Sequence, residues 1–202
     1  MNPTTCILLL FSFLVIANAR VHPVVHVDQN VVRPGVASPD VVAKACEPSR
    51  DKALCVSILK TQTISDVNDL KQATFVAIQT ASAEALATSE MIKVTRQKEE
   101  NKQIEEDEIE EETLADCATS YLSIVEMLDN ATNALLTGPG KDVTVDVKAA
   151  LTTSETCEKS IAGGRKSPQV EEVAKKNENV KKFCANALGV YDVYAKAPKG
   201  TN

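Results

Sequence analysis

Residues 114–136 read LADCATSYLSIVEMLDNATNALL. Leu114, Cys117, Tyr121, Ile124, Leu128, Ala131 and Leu135 recur at alternating steps of three and four, so a helix gathers them into one stripe. Thr119, Ser123, Glu126, Asn130 and Asn133 fall opposite. Two later series repeat the pattern: Val143, Val147, Ala150, Ser154, Cys157, Ile161, and Val170, Val173, Asn177, Val180, Cys184, Ala187, Tyr191, Tyr194. Each stripe carries at most one polar member, the mark of a helix packed along one side. GPGKD (138–142) and GGRKSP (163–168) are the breaks between them.

Upstream, Val67 to Arg96 is helical in composition, with a smaller, half-polar stripe of Phe75, Ile78, Ser82, Ala85, Ser89 and Ile92. Four long helices joined by short turns predict an all-α, up-down-up-down four-helix bundle over about residues 66–196. Residues 40–63 add a helical hairpin that turns at EPSRD (47–51).

The chain opens with an apolar run from Ile7 to Ile16 that ends at Ala17-Asn18-Ala19. This pattern predicts a secretory signal peptide over residues 1–19, since a membrane span needs roughly 20 apolar residues. Residues 20–39 hold Pro23, Pro34, Gly35 and Pro39 among valines and read as an extended leader. Residues 40–197 form the folded domain and 198–202 a tail.

Secretion makes disulfides the default fate of the remaining cysteines. On the bundle, Cys117 lies roughly 30 Å and Cys157 roughly 24 Å from their shared turn, at 1.5 Å per residue. As stripe residues on antiparallel neighbours they pair. Cys184 lies far above the next turn while Cys157 lies close to it. Cys117 and Cys184 sit on diagonal helices, beyond the roughly 7 Å Cα limit for a disulfide. Cys184 is therefore a buried free thiol, and Cys46 pairs with Cys55 across the hairpin turn.

The same segments carry a resemblance. CEPSRDKALC (46–55), LADCATSYLSIVEMLDNATNAL (114–135), VKAALTTSETCEKS (147–160) and ANALGVYDV (185–193) together resemble the plant pectin methylesterase inhibitor and invertase inhibitor family. The resemblance spans Val41 to Tyr194. It implies a four-helix bundle with an N-terminal hairpin and two disulfides. It also implies a secreted, apoplastic inhibitor that caps the active-site cleft of a cell-wall carbohydrate enzyme in a one-to-one complex.

AALTTSETC is more similar to the pectin methylesterase branch. Invertase inhibitors often carry Pro-Lys-Phe before the third bundle helix; here the order is Pro139-Gly140-Lys141-Asp142, with Lys141 near the expected place and no phenylalanine. Acid invertase is thus the alternative target, and a non-inhibitory, pollen-allergen-like role the third reading. From the family's use of its bundle helices for contact comes a candidate interface of Lys141, Lys148, Thr152, Glu155 and Lys159.

Other function classes find little footing. His22 and His26 both lie in the leader, so no histidine is available in the folded region for a Ser-His or Cys-His nucleophile. The cysteine spacing suits no zinc site, and no cofactor is expected. Asp and Glu outnumber Lys and Arg, 28 to 22, which argues against nucleic acid. No membrane association is expected. The acids concentrate in EENKQIEEDEIEEE (99–112), read as a solvated helix end or connection. Asn130-Ala131-Thr132 is the N-glycosylation sequon of the mature chain.

The leader offers no periodic face to bury, so deletion of residues 20–34 is expected to leave the thermal midpoint nearly unchanged. A calorimetric loss of several degrees would show that its valines pack on the bundle.

Overall fold

The computed structural model describes residues 37–61, 66–100, 108–137, 141–164 and 166–198. The signal and leader assignments over 1–36 and most of the tail lie outside them. Six helices follow in chain order: α1 Pro39–Ala45, α2 Lys52–Thr61, α3 Leu70–Glu100, α4 Glu108–Thr137, α5 Lys141–Gly163 and α6 Pro168–Lys196. Among the described residues there is no strand.

Local chemistry sets the helix ends. Ser38 precedes α1 with Pro39 in its first turn, so the helix starts on the last residue assigned to the leader. Asp51 Oδ1 accepts from Leu54 N (2.9 Å) at the start of α2. Asp69 Oδ1 accepts from Gln72 N (2.7 Å), and Gln72 Oε1 accepts from Asn68 N (2.7 Å), so two side chains satisfy backbone N–H groups where α3 opens. Ser167 caps α6, accepting from Val170 N (3.1 Å), and Pro168 supplies the preset φ of the first turn. Ser167 Oγ also donates to Glu110 Oε1 (2.7 Å), which ties the start of α4 to the start of α6. Among the described side chains of the acidic run, Glu110 is buried with a structural partner, while Glu111 and Glu112 are exposed. At Gly164 only a hydrogen fits, because Thr113 Oγ1 stands where a β-carbon would be.

α3, α4, α5 and α6 pack in a ring, each against the next and α6 against α3. Gln79–Thr132 (3.0 Å) and Ser82–Asp129 (3.1 Å) set α3 antiparallel to α4. Ser160–Asp116 (3.0 Å) and Thr153–Met127 (3.8 Å) do the same for α4 and α5. All seven members of the α4 stripe are buried. So are the α5 and α6 stripes except at Ile161 and Tyr194, which are half-buried at the helix ends. The hairpin of α1 and α2 packs on α3 and α6. Ser38 N donates to Val67 O (2.9 Å) and Ser49 Oγ to Asn186 Oδ1, fastening its two ends.

The α3 stripe differs from the expected one. Ile78, Ser82, Ala85 and Ile92 are buried as expected, whereas Phe75 and Ser89 lie on its flank. Thr74, Ala81 and Thr88 complete the buried line. Both threonines enter the core because their hydroxyls donate back to the chain, Thr74 to Leu70 O (2.8 Å) and Thr88 to Glu84 O (2.7 Å).

Both disulfides pair as expected. Cys46–Cys55 has a Cα separation of 5.7 Å and Cys117–Cys157 one of 4.6 Å. Chain-entropy arithmetic assigns about 2.5 kcal/mol to the short loop and about 4 kcal/mol to the longer one.

Cys184 carries a buried free thiol. The polar members of the stripes meet beside it: Tyr121 Oη donates to Asn177 Oδ1 (3.0 Å), and Asn177 Nδ2 donates to Ser154 O (3.0 Å). Burial pushes the Tyr121 hydroxyl above its ordinary range; the nearby Cys184 adds to the rise and a Thr88 hydrogen bond opposes it.

Burial also pushes the Cys184 thiol up to about 12. The folded state then resists an ionisation that the unfolded chain undergoes near 9. Stability is full below that value and falls as pH rises toward 12, at up to about 1.4 kcal/mol per pH unit. Urea unfolding at pH 8 and pH 10.5 is expected to show a fall that is smaller in Cys184→Ala by about 2 kcal/mol. Replacing Asn177 by Leu strands the Tyr121 hydroxyl and the Ser154 carbonyl, at an expected cost of about 1–3 kcal/mol at pH 7.

Candidate functional site: the outer face of α5

Burying Val143, Val147, Ala150, Ser154 and Cys157 turns the opposite side of α5 to solvent. Lys148, Thr152, Glu155 and Lys159 form a row at steps of four, three and four, and all four are exposed. Among the described residues their side chains have no hydrogen-bond or ion-pair partner. Lys141 is the first residue of α5, and its side chain lies outside the described residues. The structure therefore brings four of the five candidate residues onto one strip and gives the fifth a backbone position at its end.

Val145 belongs to the same outer face, two residues from each of the buried Val143 and Val147, and is 64% exposed. Sequence reasoning passed over it, although its signal is plain: a valine set midway between two stripe residues must point away from them. On α4 the row of Thr119, Glu126, Asn130 and Asn133 is exposed and Ser123 half-buried. Leu122 and Leu136 are also exposed on α4, with Leu122 beside Ser89, Glu90 and Lys93 of α3.

Beside the row, between α5, α6 and the hairpin turn, lies a cleft of about 650 Å³. Leu151, Ala185, Leu188 and Gly189 give it apolar walls, and Pro48 to Asp51 close one end. The cleft depends on packing between segments distant in sequence, which periodicity does not register.

Several charges on α6 are engaged. Lys181 Nζ donates to Glu158 Oε2 (2.7 Å) and lies 3.6 Å from Glu178; Lys182 lies 3.7 Å from Glu178. The hydrogen bond to Glu158 is the largest cause holding the Lys181 ammonium above its ordinary range. Lys176 bridges to Glu84 on α3 (3.1 Å). Unlike these lysines, Lys148 and Lys159 are available to a partner.

Among the described residues no group of three His, Cys, Asp or Glu side chains is placed to hold a metal ion. No described helix is long and apolar enough to cross a membrane. The site is an exposed strip of mixed polarity on a rigid, disulfide-tied helix pair, a surface suited to contact with another macromolecule.

Comparison with known proteins places this architecture. Residues 40–190 match the family described as plant invertase/pectin methylesterase inhibitor. The chain belongs to this family. Two solved structures share the fold. One is a mutant form of a pectin methylesterase inhibitor from Arabidopsis (TM-score 0.62, 20% identity, 79% of this chain and 98% of that one). Another is a pectin methylesterase inhibitor from Arabidopsis thaliana (TM-score 0.56, 19% identity, 81% of this chain and 99% of that one). No curated protein matches the sequence. The family is one of enzyme inhibitors, and its bundle, hairpin and paired cysteines are those described above.

Proposed function

We propose that this chain is a secreted, apoplastic inhibitor of pectin methylesterase, binding one to one and capping the enzyme's active-site cleft through the outer face of α5. The observation that carries the reading is the match over residues 40–190, joined to a row on α5 whose charges have no partner among the described residues. Such a row is solvated in the free protein and gains partners only in a complex. It contributes register and specificity, while Val145 and the walls of the neighbouring cleft offer apolar area.

Acid invertase is the second reading, favoured by Lys141 at the first position of α5, where a long cationic side chain follows the Pro139-Gly140 break. The two targets call on different ends of the same helix, so they separate by substitution.

Thr152→Arg and Lys148→Glu are each expected to raise the inhibitor concentration needed for half inhibition by about tenfold or more, since a mismatched charge at a desolvated contact costs kcal/mol. Their melting temperatures should match the parent, because both positions are exposed. Lys141→Ala should weaken inhibition of acid invertase and leave that of pectin methylesterase little changed. Residual activity of each enzyme, titrated with each folded variant produced without glycosylation, reads all three. Unchanged inhibition by both Thr152→Arg and Lys148→Glu would move the interface off α5.

A further inference from the structure

The sequon Asn130-Ala131-Thr132 lies within α4, and its two functional residues have opposite environments. Asn130 is exposed on the outer row. Thr132 is buried: its Oγ1 donates to Leu128 O (3.0 Å) and accepts from Gln79 Nε2 of α3 (3.0 Å). A sequon is modified through its asparagine amide with help from the threonine hydroxyl. In the folded bundle that hydroxyl is committed to the α3–α4 contact, and the helical backbone holds the segment out of any transferase centre. The product is nevertheless compatible with the fold, because the Asn130 side chain projects into solvent.

The register of α4 against α5 locates what such a modification would cover. Carried three residues along α4 from Met127, and three back along α5 from Thr153, the Thr153–Met127 contact sets Asn130 level with Ala150. Carried from the Cys117–Cys157 bond, the register sets it level with Thr144. Val145 and Lys148 fall between these levels, on the outer face of the adjoining helix.

We propose that Asn130 is an N-glycosylation site, modified before α4 docks on α3, and that its oligosaccharide covers the Val145–Lys148 end of the α5 face. The donor class is a lipid pyrophosphate-linked oligosaccharide. Asn130 Nδ2 forms the bond to the anomeric carbon, the anomeric C–O bond breaks, the lipid pyrophosphate leaves, and the amide proton passes to a base of the transferase. No electrons are exchanged. The glycan narrows docking toward Glu155 and Lys159 and leaves the fold intact. The modification rests on secretion, and its effect on docking rests on the inhibitory role of α5 proposed above.

The test uses the full chain expressed through the secretory route of plant cells. Peptide mass after N-glycosidase treatment should show a glycan on secreted wild type and on Thr132→Ser, and none on Asn130→Gln or Thr132→Val. Folded protein offered to microsomes carrying the lipid-linked donor should stay unmodified, while the reduced, unfolded chain accepts the glycan. An unmodified Asn130 in secreted wild type, retention of the chain in the cytosol, or modification of the folded protein would each overturn the proposal. In the inhibition assay, glycosylated wild type should need about tenfold more protein than Asn130→Gln for half inhibition. Equal potency would overturn the masking. Inhibition by neither form would sink the inhibitory role itself, while peptide mass still decides the modification.

Discussion

One buried amide holds the bundle in register. Asn177 accepts a hydrogen bond from the Tyr121 hydroxyl and donates one to the Ser154 carbonyl, so α4, α5 and α6 are joined at a single level. Thr88 of α3 is buried at the same place, close to Tyr121, with its hydroxyl satisfied on Glu84 O. A slip of one turn in any of the three helices would strand polar groups in an aliphatic core. Each stranded group costs about 1–3 kcal/mol, a large part of the margin by which a domain is stable. Apolar stripes alone tolerate several registers. The polar contacts select one, and the Cys117–Cys157 bond makes that choice covalent for α4 and α5.

The proposed docking face follows from this arrangement. Core positions on α5 are small or β-branched, with Val143, Val147, Ala150 and Ser154 facing inward, so the helix sits close to its neighbours. A helix tied to α4 by a disulfide and to α6 by Lys181–Glu158 presents its outer residues with little freedom to lose on binding. The hairpin adds a wall: the turn from Pro48 to Asp51 overhangs the α5–α6 side and closes the apolar cleft next to the row. Its own short core is stapled by Cys46–Cys55 and fastened to α6 through Ser49 and Asn186.

Much of the fold was legible in the sequence because α4, α5 and α6 bury nearly unbroken aliphatic stripes. Spacing alone then identifies the inward face, and turn positions pair the cysteines. α3 was harder. Thr74 and Thr88 look polar by composition, yet each satisfies its hydroxyl on its own backbone, so the core accepts them as small β-branched residues. The acidic run was legible as a helix boundary, but the burial of Glu110 depends on Ser167, 57 residues away. At the candidate site, exposure of Lys148, Thr152, Glu155 and Lys159 followed from the stripe opposite. Val145 and the cleft did not, the first because the three valines 143, 145 and 147 look alike until a face is assigned. The cleft is made by tertiary packing of the hairpin.

The two disulfides divide the chain into closed rings and open stretches. Cys117–Cys157 encloses the last two-thirds of α4, the first two-thirds of α5 and their connection, and Cys46–Cys55 encloses the hairpin turn. A protease that cuts one peptide bond inside either ring releases no fragment: the severed ends remain one covalent molecule. A cut within α3 or α6 has no such tether. The proposed docking row from Lys148 to Glu155 lies inside the larger ring, with Lys159 two residues beyond its closing cysteine. If the chain is secreted as proposed, a nick in the α4–α5 connection by an extracellular protease would leave this strip attached to the rest of the chain through a bond that proteolysis does not touch.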